Sequence, residues 1–156
     1  MQPNWTVGRA EVDQLLNQGR LTRVTANRQL ADDYLRQARQ HLESARILVE
    51  SDPEGAFQLA YDAARKSLAA VLVNQGLRAS GLGAHATVHD AIRAQMGPQQ
   101  PPVLKHFTWM RRLRNRTEYP DVGEKSADAT DTRDAIVFAA DFIDLAEKLL
   151  DLMPPY

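Results

Sequence analysis

Residues 127–153 read ADATDTRDAIVFAADFIDLAEKLLDLM. From Ala135 to Met153, apolar side chains recur at intervals of three and four residues, with acidic residues between them. That spacing places the apolar side chains on one face of a helix. Pro154 and Pro155 end the pattern, because proline cannot continue a helix. The stretch predicts a long amphipathic helix whose apolar face must be covered by other helices.

The same period recurs over about residues 25–50, 53–76 and 102–118, and more briefly over 12–16 and 87–96. No segment alternates with period two for long enough to predict a strand. The sequence therefore predicts an all-α protein, an antiparallel up-and-down bundle of four main helices plus one or two short helices. Residues 25–156 would form this bundle. Residues 1–24 would form a polar N-terminal extension that either docks on the bundle or is partly loose.

Composition excludes several classes of function. The chain of 156 residues has no cysteine, so disulfides, iron–sulfur clusters and thiol catalysis are excluded. No signal peptide is visible, and the apolar stretches are shorter than the roughly 20 residues of a membrane helix. We therefore expect a soluble, cytoplasmic protein that does not associate with membranes.

Charge is unevenly distributed although the net charge is only −1. Residues 105–116 carry five basic side chains and no acid, whereas residues 121–151 carry nine acids and three bases. One interpretation is a charged functional surface. The other is a pair of elements that complement each other inside a dimer.

A polar group of side chains is predicted at the end of the helix over 102–118. Arg114 and Asn115 precede Glu118 and Tyr119 by about one helical turn, and Pro120 stops the helix. Guanidinium, amide, carboxylate and phenol would thus collect in one place. The alternative is a structural one, in which Arg114 and Glu118 pair on a solvated face and Tyr119 packs beneath them.

Other kinds of catalytic site find little support. There is no Gly-rich phosphate loop, no Gly-x-Ser-x-Gly elbow and no cysteine nucleophile. His85 and His89 are four residues apart, but a zinc site would need a third ligand at a recognisable spacing. We predict no metal site and no cofactor, and we expect these imidazoles to cap or pack where a helix begins.

The motif Arg-Asn-x-x-Glu-Tyr-Pro at residues 114–120 resembles a bacterial branch of the HEPN family of helical bundles. The stretch Ala-Tyr-Asp-Ala-Ala-Arg-Lys at residues 60–66 is similar to that branch, as are Gln-Gly-Leu-Arg at 75–78 and Gly-Ala-His at 83–85. The resemblance covers roughly residues 29–150.

In active HEPN members, the resemblance implies metal-independent RNA cleavage in a cleft between two protomers. Arg114 matches the family arginine, which stabilises the scissile phosphate, and Asn115 matches its polar neighbour. The family histidine, which moves protons, is replaced at its own position by Glu118 or Tyr119. The ribonuclease motif is therefore degenerate, and whether the protein is an enzyme stays open.

The candidate catalytic residues are Arg114, Asn115, Glu118 and Tyr119. The candidate phosphate- or RNA-binding residues are Lys105, Arg111, Arg112 and Arg116, together with His85 and His106, the two histidines available to replace the missing one. Expected partners are a second copy of the chain, a nucleotidyltransferase encoded beside it, and RNA or a nucleotide.

Three functions remain open at this point. The first is a binding or assembly module in a two-component system, of the toxin–antitoxin or nucleotidyltransferase-associated kind. The second is an active, toxin-like endoribonuclease that uses Arg114. The third is a helical bundle with a purely structural role.

Overall fold

The structure is a computed structural model that describes residues 5–121 and 123–156. In this part of the chain it contains six α-helices and two short strands. In chain order they are α1 (Arg9–Asn17), β1 (Leu21–Arg23), α2 (Arg28–Leu48), α3 (Pro53–Gln75), β2 (Leu77–Ala79), α4 (Ala84–Met96), α5 (His106–Glu118) and α6 (Ala129–Leu152). A 3₁₀ turn over Pro102–Lys105 leads into α5. The predicted all-α bundle is confirmed.

Helix α3 is the central helix of the bundle. Thirteen of its 23 residues are buried, more than the single face of a surface helix provides. It packs against α2 and α6 along its length and also contacts α4 and α5. Its beginning follows from local sequence, since the Asp52 side chain accepts a hydrogen bond from Gly55 N and Pro53 occupies the first turn.

Helices α2 and α6 lie beside α3, run antiparallel to each other and are joined across their surface by ion pairs. Arg28 Nη2 lies 3.1 Å from Asp151 Oδ1, and Arg39 pairs with Glu147. These pairs are exposed, so each contributes at most about 1 kcal/mol. The acidic side chains of α6 are thus partly neutralised within the chain by arginines of α2.

The prediction that no segment forms a strand is wrong in one place. Leu21, Thr22 and Arg23 pair antiparallel with Ala79, Arg78 and Leu77, respectively. The chain can turn from α3 into β2 because Gly76 adopts φ +81°. Three-residue strands are too short to show an alternation in sequence, which is why the pattern missed them.

The N-terminal segment is docked, from Trp5 onward, on the rest of the chain. Helix α1 packs against α4, and Val12 and Leu21 are almost completely buried. Of the two expectations for this segment, docking is therefore what the described residues show. The first four residues lie outside the described part, and the domain boundary at residue 24 stays a prediction. In the described ranges, no helix is both long and apolar enough to cross a membrane.

Candidate functional site

The predicted polar group lies at the end of α5, but its members do not all face the same way. Arg114 forms an ion pair with Glu118 one turn later, and its Nη1 donates to Asn115 Oδ1 at 3.4 Å. The side chain of Arg114 is 24% exposed. Tyr119 is 69% exposed, so the expectation that it packs beneath this ion pair is wrong.

A different tyrosine lies beneath Arg114. Tyr61 of α3 is buried, and the guanidinium carbon of Arg114 stands 5.9 Å from the centroid of its ring. Such a cation over an aromatic face is stabilising. Burial raises the pKa of Tyr61 to about 12, against the opposing effect of nearby arginines. The phenol is therefore protonated at neutral pH and can both donate and accept a hydrogen bond.

Tyr61 connects Arg114 to a histidine on another helix. Its hydroxyl lies 2.9 Å from His85 Nδ1. His85 is the second residue of α4, a helix that begins after Gly83, whose φ is +77°. Burial lowers the pKa of His85, and the charges of Arg65 and Arg114 lower it further. A neutral imidazole thus faces the group, although the sequence places it 29 residues before Arg114.

Asp62, which directly follows Tyr61 on α3, and Arg65, one turn after Tyr61, complete the group. Arg65 Nε donates to Asp62 Oδ1 at 3.2 Å. Burial favours the protonated form of Asp62, but the hydrogen bond and charge of Arg65, together with the charge of Lys66, lower its pKa overall. Asp62 is therefore an anion that holds Arg65 in place.

These side chains surround a pocket of about 540 Å³, which we call the Arg114 cleft. That volume is within the range of ligand sites. Its lining residues are Gly55, Gln58, Leu59, Tyr61, Asp62, Arg65, His85 and Arg114. On the other side of His85 lies a depression of about 340 Å³ lined by Arg111, Asn115 and residues 81–86. His85 thus lines both the Arg114 cleft and this depression.

The cleft is suited to an anion. Three guanidinium groups, those of Arg65, Arg111 and Arg114, lie in or next to it, and two carboxylates, those of Asp62 and Glu118, balance part of their charge. A guanidinium offers a planar set of donors that matches the oxygen atoms of a phosphate. Tyr61 and His85 add neutral groups that can exchange hydrogen bonds with a hydroxyl.

Other candidate residues are not brought to the cleft. His106 stacks on Phe138 of α6, with ring centroids 3.8 Å apart. Burial and the charge of Lys105 lower the pKa of His106. Lys105, Arg112 and Arg116 are exposed, and none of them lines the cleft. They can contribute only to the wider surface around α5.

The two histidines of the predicted loop-to-helix start have separate partners. His89 Nε2 donates to Leu104 O at 2.7 Å, and its ring stacks on Phe107 at 4.9 Å. Burial lowers the pKa of His89. His85 instead contacts Tyr61. Across residues 5–121 and 123–156, no three His, Asp or Glu side chains are grouped so as to hold a metal ion.

Sequence reasoning predicted only His85 and Arg114 among the residues that line the cleft, and it missed three that hold polar or charged groups beside them. Tyr61, Asp62 and Arg65 belong to the stretch that resembles HEPN proteins, but no role was assigned to them. A signal was present, because Asp62 and Arg65 interrupt a helix that is otherwise mainly apolar between Ala56 and Val73. Charged side chains on a largely buried helix need partners, and such partners often mark a site.

Comparison with known proteins agrees with the all-α fold. The model of one protein family, the HEPN domain, matches residues 31–149 of the chain. No curated protein and no solved structure matches it. The matched region extends from the first turn of α2 to the last turn of α6 and contains every residue of the cleft. The chain belongs to the HEPN domain family.

Proposed function

We propose that the protein binds RNA and holds one backbone phosphate in the Arg114 cleft. The observation that carries this proposal is the meeting of Arg114, Arg65 and His85 around one pocket. Guanidinium groups supply charge-assisted hydrogen bonds to phosphate oxygens. His85 and Tyr61 supply neutral partners for a 2′-hydroxyl, the group that distinguishes RNA from DNA.

The ion pair between Arg114 and Glu118 does not exclude this role. Arg114 has five N–H donors, and Glu118 and Asn115 engage only some of them. Arg114 also lines the cleft. Glu118 thus acts as a positioning residue that fixes the orientation of Arg114. A phosphate would approach from the side of Tyr61 and His85.

The test compares RNA binding by the wild type, Arg114→Gln and Arg39→Gln, using a fluorescent single-stranded RNA. Arg39 is a matched control, because it also pairs with a glutamate but lies on α2, outside the cleft. We expect Arg114→Gln to weaken binding by about 10- to 150-fold, from about 1.5–3 kcal/mol for a hydrogen bond to a charged group. The slope of log affinity against log salt should fall by about 0.7. Wild-type affinity in Arg114→Gln would refute the proposal.

A second candidate is metal-independent RNA cleavage, which the position of His85 favours. In the tautomer whose Nδ1–H donates to Tyr61, Nε2 is free to take the proton of a 2′-hydroxyl. The 2′-oxygen would then attack the phosphorus, and the 5′-oxygen would leave and take a proton from water. The products would be a 2′,3′-cyclic phosphate and a 5′-hydroxyl. The lowered pKa of His85 keeps the base neutral and ready at pH 7.

Cleavage is tested by incubating RNA with the protein in the presence of a chelator and identifying the product ends. Activity should disappear in His85→Gln and persist in His106→Gln, because His106 stacks on Phe138 outside the cleft. Intact RNA at high protein concentration would dismiss this candidate and leave the binding proposal standing.

We also propose that the protein works as a cytoplasmic homodimer in a two-component system, of the toxin–antitoxin or nucleotidyltransferase-associated kind. Support comes from the family and from exposed basic residues on α5, including Arg112 and Arg116. A two-fold axis would bring two copies of the cleft into one assembly. Light scattering should give twice the chain mass. Co-expression with a neighbouring nucleotidyltransferase should yield a stable complex, and a monomer that binds no such protein would contradict this proposal.

A further inference from the structure

A second pocket, of about 370 Å³, adjoins the Arg114 cleft. It is lined by strand β2, by the segment that follows β1, and by helices α2, α3 and α4, and we call it the β2 pocket. Its wall is mainly aliphatic, with contributions from Leu30, Ala69, Leu72, Val73, Leu77 and Val88. An apolar recess of this size at the surface is suited to a flat or compact apolar group.

Two residues belong to both pockets. Arg65 and His85 line the β2 pocket as well as the Arg114 cleft. A ligand that spans them would therefore carry an anionic group on one side of Arg65 and His85 and an apolar group on the other. In a nucleotide, a phosphate and a base are joined by a single sugar and meet this requirement.

Two further lining residues favour an aromatic ligand with a polar edge. Tyr34 of α2 is a half-buried aromatic side chain in the wall. Asn27 Oδ1 accepts from Leu30 N at 2.9 Å to cap α2, and this bond leaves the NH₂ group of Asn27 available as a donor. Unpaired bases are held in the same manner, by stacking on aromatic side chains and hydrogen bonds at their edges.

We infer that the β2 pocket accepts one unpaired nucleobase of an RNA whose phosphate lies in the Arg114 cleft. This inference rests on the proposed function and adds a base-binding subsite to it. Tyr34 would contact the face of the base, and Asn27 would contact its edge. Binding would then require single-stranded RNA, because a paired base cannot leave its stack without a cost.

The experiment compares two fluorescent eight-residue RNAs with the same backbone, one carrying bases and one abasic throughout. We expect the wild type to bind the base-containing RNA about 5- to 150-fold more tightly, the range for one stacked base. Ala69→Met fills the β2 pocket and should remove this preference while leaving the affinity for abasic RNA unchanged. Ala140→Met is the matched control, since Ala140 is a partly buried alanine of α6 that does not line the pocket.

The outcomes separate the two proposals. If neither RNA binds, the proposed function fails and the inference fails with it. If both bind equally to the wild type, the inference alone is overturned. A preference that survives in Ala69→Met also overturns it, because the base must then lie elsewhere. Thermal melting verifies that Ala69→Met is folded, and Tyr34→Leu provides the same comparison if it is not.

Discussion

Replacing Glu118 with Gln tests how Arg114 meets a bound phosphate. Glu118 Oε2 contacts Arg114 Nη2 as an i,i+4 ion pair. Glutamine has nearly the same shape and keeps an oxygen that can accept from Arg114, so the guanidinium should keep its orientation. The substitution therefore removes a negative charge from the edge of the cleft without removing the arginine or its support.

The size of the effect follows from Coulomb's law. A phosphate held by the opposite side of the guanidinium would lie about 6 Å from the Glu118 carboxylate, which corresponds to a repulsion of about 0.7–2.8 kcal/mol at effective dielectric constants of 80 to 20. The Glu118 side chain is 31% exposed, so water screens part of this repulsion. We expect a gain of about 1 kcal/mol, or roughly a 5-fold tighter affinity for RNA.

Fluorescence anisotropy with a single-stranded RNA at fixed low salt measures this gain. Glu43→Gln is the matched control, because Glu43 also pairs with an arginine of its own helix, Arg46 on α2, outside the cleft. Both variants raise the net charge equally, so a general electrostatic effect would strengthen both. Equal changes in the two variants, or weaker binding by Glu118→Gln, would refute the placement of the phosphate at Arg114.

Three other predictions follow from the fold and from the histidines. Gly76→Ala should lower the free energy of unfolding, measured by chemical denaturation, by about 1–3 kcal/mol, since a Cβ at φ +81° would lie 2.8 Å from Val24 O. Gly81→Ala should show a smaller loss, because φ is also positive there but nothing lies within 4 Å. The pKa values of His85 and His89 are lowered by burial, so the unfolded chain binds protons first and stability should fall as pH drops below about 6.5. His89→Gln should reduce the slope of melting temperature against pH, and a flat profile in the wild type would contradict the argument. RNA affinity should rise as pH falls below the lowered pKa of His85, because protonation adds a charge to the cleft; His85→Gln should remove that rise in anisotropy titrations.

Local features of the fold could be predicted because their causes are local. The beginning of α3 at Pro53 and its end before Gly76 depend on one capping carboxylate, one proline and one glycine. The helix predicted to start near residue 25 begins at Arg28, because Asn27 accepts from Leu30 N and serves as its N-cap. Such errors of a few residues arise when several polar residues in a row are able to cap.

The missed parts depend on contacts between residues that are distant in sequence. Strands β1 and β2 stabilise each other across more than fifty residues, and neither is long enough to be recognised alone. In the same way, Tyr119 belongs to the motif in sequence but is exposed, whereas Tyr61 of α3 contacts Arg114 in space. Residue type and spacing along one helix predicted that Arg114 and Asn115 lie together at the end of α5. A partner from another helix cannot be predicted in this way, because only packing brings it close.

The central position of α3 has a consequence for how the cleft can change. Tyr61 and Arg65 belong to a helix whose other faces pack against four neighbouring helices, so most substitutions around them would impair folding before they altered ligand preference. Asn115 and residues 81–83 before α4 are exposed and Arg111 is half-buried, so substitutions there should be better tolerated. Diversity among related chains, and success in directed evolution of new specificity, should therefore concentrate on the α5 side of the cleft.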